Sequence, residues 1–123
     1  MNKFELAWAA GFFDGEGCFV AQPQKYAPHP YLRVIIGQTD REVLDRFQKA
    51  VGIGGVCGPI KTKHKPMFSY YAASNNAIVA MNRILPWLSS VKRNQFHKAI
   101  GRSLTYYYLP KQIHSFKKYE GRT

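Results

Sequence analysis

The sequence predicts an α+β fold in the order helix, hairpin, helix, hairpin, then helices, an antiparallel sheet covered on one face and open on the other. Three observations predict it. Apolar and polar residues alternate with a period of two in two pairs of segments, each pair broken by a proline- or glycine-marked turn. The stretches between them carry apolar residues at three- and four-residue spacing, and helix stop signals close those stretches. At 123 residues, with 46% hydrophobic and 15% aromatic content, the chain is long enough to bury a core without staples. One domain over residues 1–110 is expected, followed by a basic, loosely held tail over 111–123.

The first helix is predicted over residues 4–13. It is apolar on nearly every side and should be buried on nearly every side. Ala7, Ala10 and Gly11 recur at helical spacing and leave a face that another backbone could approach closely. Strands follow over residues 18–24 and over Tyr31–Gln38, joined by K-Y-A-P-H-P, whose Pro28 and Pro30 suit neither helix nor central strand. Thr39-Asp40-Arg41-Glu42 has capping-box spacing with Thr39 as cap. It opens a helix that turns Val43, Leu44, Phe47 and Val51 inward and stops at Gly52. G-I-G-G-V-C-G starts a second hairpin over Gly55–Ile60 and Met67–Ala73, with the basic connector K-T-K-H-K. Ser74 can cap a third helix bearing Ile78, Met81 and Leu85, which Pro86 ends. Ser89 or Ser90 can cap a fourth, with Phe96, Ile100 and Leu104 inward and Pro110 at its end.

Composition narrows the function. Lys and Arg number 18 against 7 acidic residues, a formal charge of +11. Such an excess favours a polyanion partner, because each phosphate neutralised releases condensed counterions. The plain alternative is charge that serves only solubility. Cys18 and Cys57 sit in no metal-binding or redox spacing, and the four histidines are scattered, so neither a disulfide framework nor a zinc site is indicated. Nothing approaches the roughly 18 to 20 apolar residues of a membrane span. The N-terminus has neither signal- nor transit-peptide character. The expectation is a protein with no membrane association that works where it is made, in a bacterial cytoplasm or inside the organelle that encodes it.

Against this charge, Asp14 and Glu16 stand out. They lie among glycines at the end of the first apolar run, where a helix C-terminus disfavours anions by roughly 0.3–1 kcal/mol each. A Lys or Arg, the N-terminus of another helix, or a divalent metal held by hard oxygen ligands could compensate. Read alone, D-G-E-G is also an ordinary turn into a strand. It lacks the D-x-D-x-D-G series of a calcium loop.

The run Ala9-Ala10-Gly11-Phe12-Phe13-Asp14-Gly15-Glu16-Gly17 resembles the LAGLIDADG signature, with Ala for its first Leu and Glu for its second Asp. N-K-F before it, C-F-V-A-Q after it, Q-T-D-R, and P-W-L-S-S-V-K later extend the resemblance to the single-motif LAGLIDADG homing endonucleases over most of residues 2–105. The resemblance implies the αββαββα fold with a saddle-shaped antiparallel sheet, and a homodimer whose motif helices pack at a two-fold axis, with Ala7, Ala10, Gly11 and Asp14 at the interface. It implies Mg²⁺ or Mn²⁺ held by Glu16 and the Gly15 carbonyl beside the scissile phosphate, a site Ca²⁺ could occupy without supporting cleavage. Gln38 matches a position that orients water, and Lys92, with Arg93 as its neighbouring alternative, a basic position near that phosphate. Hard oxygen ligands suit Mg²⁺, which keeps several waters.

A two-stranded ribbon fits the major groove, where Arg can pair with guanine and Gln with adenine. Strand alternation puts Val20, Gln22 and Gln24 on one side of the first strand and Tyr31, Arg33 and Ile35 on one side of the second. In the second hairpin Cys57, Lys61, Lys63, Phe68 and Tyr70 are the candidates for contact with double-stranded DNA. The resemblance implies cleavage of a long, nearly palindromic site, one phosphodiester per strand, leaving short 3′ overhangs, by a protein encoded in a freestanding or intron reading frame. The rival readings are an RNA-splicing maturase that binds intron RNA, and a DNA-binding protein of the same fold without catalysis.

Overall fold

The computed structural model describes residues 1–27 and 30–108, with residues 102–108 described by their helical backbone alone. The readings made for Pro28, for the packing of Leu104, for Pro110 and for the 111–123 tail fall outside the described residues. The element order is α1 (Lys3–Glu16), β1 (Gly17–Gln22), β2 (Tyr31–Gln38), α2 (Arg41–Val51), β3 (Gly55–Ile60), β4 (Met67–Ala73), α3 (Asn75–Ile84) and α4 (Ser90–Tyr108), with a short 3₁₀ turn over Leu85–Trp87.

α1 is longer than its apolar run. Asn2 caps it, its Oδ1 accepting from the backbone N–H groups of Phe4 and Glu5 at 2.9 and 3.1 Å. The helix continues through Asp14, Gly15 and Glu16, so the carboxylates occupy its last turn rather than a separate loop. Gly17 ends it: its N–H donates to the Phe13 carbonyl, and a Cβ there would overlap the Phe13 ring. β1 stops at Gln22, two residues before the expected end, which leaves Gln24 beyond the ladder.

Asp40, not Thr39, caps α2, accepting from the Glu42 N–H at 2.9 Å. Gly52 stops the helix in the left-handed region, φ 72°, as a C-terminal glycine should. Ser74 makes no side-chain cap. Its backbone has φ 56°, and its N–H donates instead to the Leu32 carbonyl at 2.8 Å, tying the start of α3 to β2. Ser89 does cap α4, its Oγ accepting from the Lys92 N–H at 3.3 Å.

The sheet order is β1-β2-β4-β3, every neighbour antiparallel. Phe19, Leu32, Val34, Ile36, Tyr70 and Ala72 face the helices, which return Leu6, Phe13, Leu44, Phe47, Met81, Ile84 and Phe96 to one continuous core. Phe47 is its hub, 4.8 Å from the Tyr70 ring and 6.4 Å from the Phe13 ring. Tyr70 is fully buried, its hydroxyl donating to the Ile53 carbonyl at 2.8 Å. Burial pushes its ionisation well above the ordinary phenol range. At the solvent edge of the core Arg46 joins α2 to α1, pairing with Glu5 at 2.8 Å and stacking 3.8 Å over the Trp8 ring. This pairing holds the Glu5 carboxyl below its usual range.

Candidate functional site

The end of α1 gathers the predicted acids with two other chain segments, and it treats the acids differently. Asp14 turns to α4, where both carboxylate oxygens accept from the Ser89 N–H, at 3.0 and 3.2 Å. An anion at a helix N-terminus is favoured as much as one at a C-terminus is disfavoured, so this contact offsets the cost of its position. Lys92 closes the same junction from the other side, its Nζ donating to the Gly17 carbonyl at 2.7 Å and lying 5.5 Å from the Phe13 ring centre. The neighbouring Arg93 donates instead to the Leu88 carbonyl, at 2.9 Å, so Lys92 is the cation delivered to the motif.

Glu16 receives neither compensation. It is exposed, and among the described residues its one partner is neutral: Gln38 Nε2 donates to its Oε2 at 3.0 Å. Three sequence-predicted residues, Glu16, Gln38 and Lys92, are therefore brought together at one end of the sheet. Asp14, predicted at the dimer contact, is engaged by α4 of its own chain. No cluster of three His, Cys, Asp or Glu side chains that could hold a metal ion exists among the described residues. A lone hard carboxylate beside Gly15 suits a cation that retains waters, as Mg²⁺ does.

One face of α1 stays open. Phe4 is 85% exposed, Gly11 and Gly15 are exposed with open space where a Cβ would stand, and Ala7 is half-buried in the same stripe. The helix is thus not buried all round within this chain. Ala10 is corrected from the dimer set, since it is 0% exposed and packed into the chain's own core.

The open face of the sheet is set by the register. Val20 pairs with Arg33, Gln22 with Tyr31, and Cys18 with Ile35, which pairs onward with Tyr71. Paired residues share a face. The first-hairpin residues Val20, Gln22, Tyr31, Arg33 and Ile35 therefore lie together on the open side. Arg33 donates to Gln22 Oε1 at 2.6 Å and lies 5.6 Å from the Tyr31 ring centre.

In the second hairpin Cys57 takes the expected face, but β4 has the opposite parity to the one expected. Tyr70 and Phe68 belong to the helix side, Tyr70 because Phe47 and the Ile53 carbonyl claim it, Phe68 because it is one period away. Tyr71, Ser69 and Cys57 take the open face. Tyr71, 53% exposed, was missed because adjacent tyrosines carry no periodic signal. Lys61 and Lys63 are on the connector between β3 and β4, exposed. Since Gln38 pairs with Phe68 at the start of β4, that connector lies at the same end of the sheet as Glu16.

A family model described as LAGLIDADG endonuclease matches residues 9–100. No curated protein sequence matches the chain. Among solved structures, the chain is similar to the homing endonuclease I-CvuI, in complex with its target in the presence of 2 mM Ca (22% identity, TM-score 0.64, covering 89% of this chain and 70% of that one). It is similar to the archaeal intron-encoded homing endonuclease I-Vdi141I complexed with DNA (21%, 0.62, covering 97% and 81%). It is also similar to the LAGLIDADG homing endonuclease I-GzeII in complex with a DNA target (19%, 0.65, covering 99% and 43%). At these identities the likeness establishes the fold.

Proposed function

The chain belongs to the LAGLIDADG endonuclease family, and from that premise we propose that it is a homing endonuclease that binds a long, nearly palindromic DNA duplex as a homodimer and hydrolyses one phosphodiester on each strand. The observation that carries this reading is the division of labour at the end of α1. Asp14 and the Gly17 carbonyl are compensated within the chain by the α4 N-terminus and by Lys92, while Glu16 is left exposed on a neutral partner. An uncompensated carboxylate at a helix C-terminus is an unfavourable arrangement in isolation and a useful one beside a cation.

The face of α1 formed by Phe4, Ala7, Gly11 and Gly15 suits a second copy, because a small residue every fourth position admits a close backbone. Two such chains have about the length of I-GzeII, of which one chain covers 43%. This packing would set two Glu16 carboxylates on either side of the dimer axis, above a duplex lying on the open sheet faces.

Glu16, with the Gly15 carbonyl, would hold Mg²⁺, which when bound supplies Lewis-acid stabilisation of phosphate charge and a water of lowered pKa. Gln38, donating to Glu16 Oε2, would orient that carboxylate, and its amide oxygen would accept from water. Lys92 keeps its ammonium at the junction of α1 and β1, where it favours an approaching phosphate. Lys61 and Lys63 extend positive charge outward at the same end of the sheet and would hold backbone phosphates.

The test is incubation of the full chain with Mg²⁺ and a random duplex library, with recovery of broken ends. The reading expects double-strand breaks at one sequence class, with short 3′ overhangs, stopped by chelation. A duplex that is retained in a stable complex yet never cut in Mg²⁺ or Mn²⁺ would leave a binding protein, not a nuclease.

A further inference from the structure

Read residue by residue, Arg33 is a guanine reader and Gln22 an independent adenine reader. The structure couples them. Arg33 Nη2 donates to Gln22 Oε1 at 2.6 Å across the first hairpin. A guanidinium carries donors only, so the amide must turn its oxygen, not its nitrogen, toward it. That oxygen is the acceptor that the N6 amino group of adenine would need for the bidentate Gln–adenine pair.

We propose that Gln22 and Arg33 act as one composite reader that selects guanine at a single position of each half-site, with Gln22 as a positioning residue and not an adenine contact. The proposal rests on the DNA-binding reading above. With one lone pair of its oxygen engaged by Arg33, the pair presents an excess of donors: the remaining guanidinium N–H groups and the Gln22 amide N–H₂. In the major groove guanine offers two acceptors, N7 and O6, whereas adenine and cytosine each present an amino donor that a donor-rich surface disfavours.

Two further observations constrain the geometry. Arg33 Nε is shielded from solvent and has no hydrogen-bond partner, so recognition runs end-on through the two terminal nitrogens. The ring of Tyr31, the cross-strand partner of Gln22, lies 5.6 Å from the guanidinium carbon and limits its swing. A guanidinium held by two neighbours before binding loses less freedom on forming a bidentate contact.

The experiment is selection of bound duplexes from a random library in Ca²⁺ by the full chain and by Arg33→Ala, Arg33→Lys, Gln22→Ala and the Gln22→Ala/Arg33→Ala double variant. Each variant is checked for an unchanged unfolding midpoint. The wild-type chain is expected to enrich guanine at one position per half-site. Arg33→Ala should reduce that preference about tenfold or more, Arg33→Lys should restore it only in part, and Gln22→Ala should weaken it at the same position. The double variant should match Arg33→Ala, because the two side chains serve one contact. Loss of an adenine preference at a different position in Gln22→Ala would overturn the coupling, as would a uniform loss of affinity for every sequence in Arg33→Ala. Both outcomes leave the nuclease reading intact. Failure of the wild-type chain to enrich any duplex would overturn the two readings together.

Discussion

The two hairpins are built from similar residues, yet the sequence exposes the faces of one and hides those of the other. In β2 Leu32, Val34 and Ile36 alternate with Tyr31 and Arg33, and a charged side chain can point only outward, so parity is fixed at once. In β4 the run M-F-S-Y-Y-A-A carries no charge, and two adjacent tyrosines meet opposite fates. Tyr70 is 0% exposed and Tyr71 53%. A tyrosine has an apolar body and a polar tip, and its place depends on whether a partner exists for that tip. Here the partner is the Ile53 carbonyl just after α2, a contact remote in sequence and made only when the helix layer has packed.

The largest effect that could break this comparison is truncation of each tyrosine. Tyr70→Ala should cost about 3–5 kcal/mol by removing a buried ring from the contact with Phe47. Tyr71→Ala should change stability by about 0.5 kcal/mol or less while weakening duplex binding. Urea unfolding of both variants decides it, and equal costs would mean the register of β4 is wrong.

Next in size is Gly58→Ala in β3. Gly58 has φ 126° beside the register shift between Cys57 and Ile60, and a Cβ there would stand 2.8 Å from the Met67 carbonyl oxygen. A loss of about 1–3 kcal/mol is expected, with the first hairpin's amide exchange less affected than the second's. Asp14→Ala tests the junction of α1 with α4. It strips the acceptor from the Ser89 N–H at the start of α4 and should cost about 1–2 kcal/mol, with Asp14→Asn recovering part of it in thermal unfolding.

The smallest effect sharpens the chemistry. Tyr70→Phe should cost about 1 kcal/mol for the lost hydrogen bond. It should also remove an alkaline fall in stability. A phenol whose folded pKa is raised contributes stability that is full below the unfolded value near 10 and declines as pH rises beyond it. Unfolding curves from pH 8 to 11 should therefore diverge for wild type above about pH 10 and stay parallel for Tyr70→Phe.

How much was legible follows from the same logic. The element order, the span of β2 and the Gly52 stop were readable because glycine, charge and periodicity mark them locally, and the motif pointed to Glu16, Gln38 and Lys92, which the fold brings to one end of the sheet. The end of α1 was not, because D-G-E-G spells a turn unless Gly17 is already pressed against Phe13. Asp40 displaced Thr39 as cap since an aspartate one residue later serves the same orphan N–H groups. Where Ala10 and Asp14 point was set by tertiary packing: the core took one and the α4 N-terminus engages the other. Whether a small residue on α1 faces its own sheet or a second copy depends on where the sheet lies, and no local pattern records that.

The measurement closest to the heart of the account compares wild type with Glu16→Gln on a selected duplex, recording binding in Ca²⁺ and strand cleavage in Mg²⁺. The amide keeps the size of the side chain and a hydrogen bond to Gln38 but gives up the charge left unbalanced at the end of α1. Binding within about twofold of wild type, with cleavage reduced by about a thousandfold or more (the ~4 kcal/mol scale of a lost metal-anchoring charge), is the predicted result. Cleavage at the wild-type rate by Glu16→Gln would contradict the account at its centre.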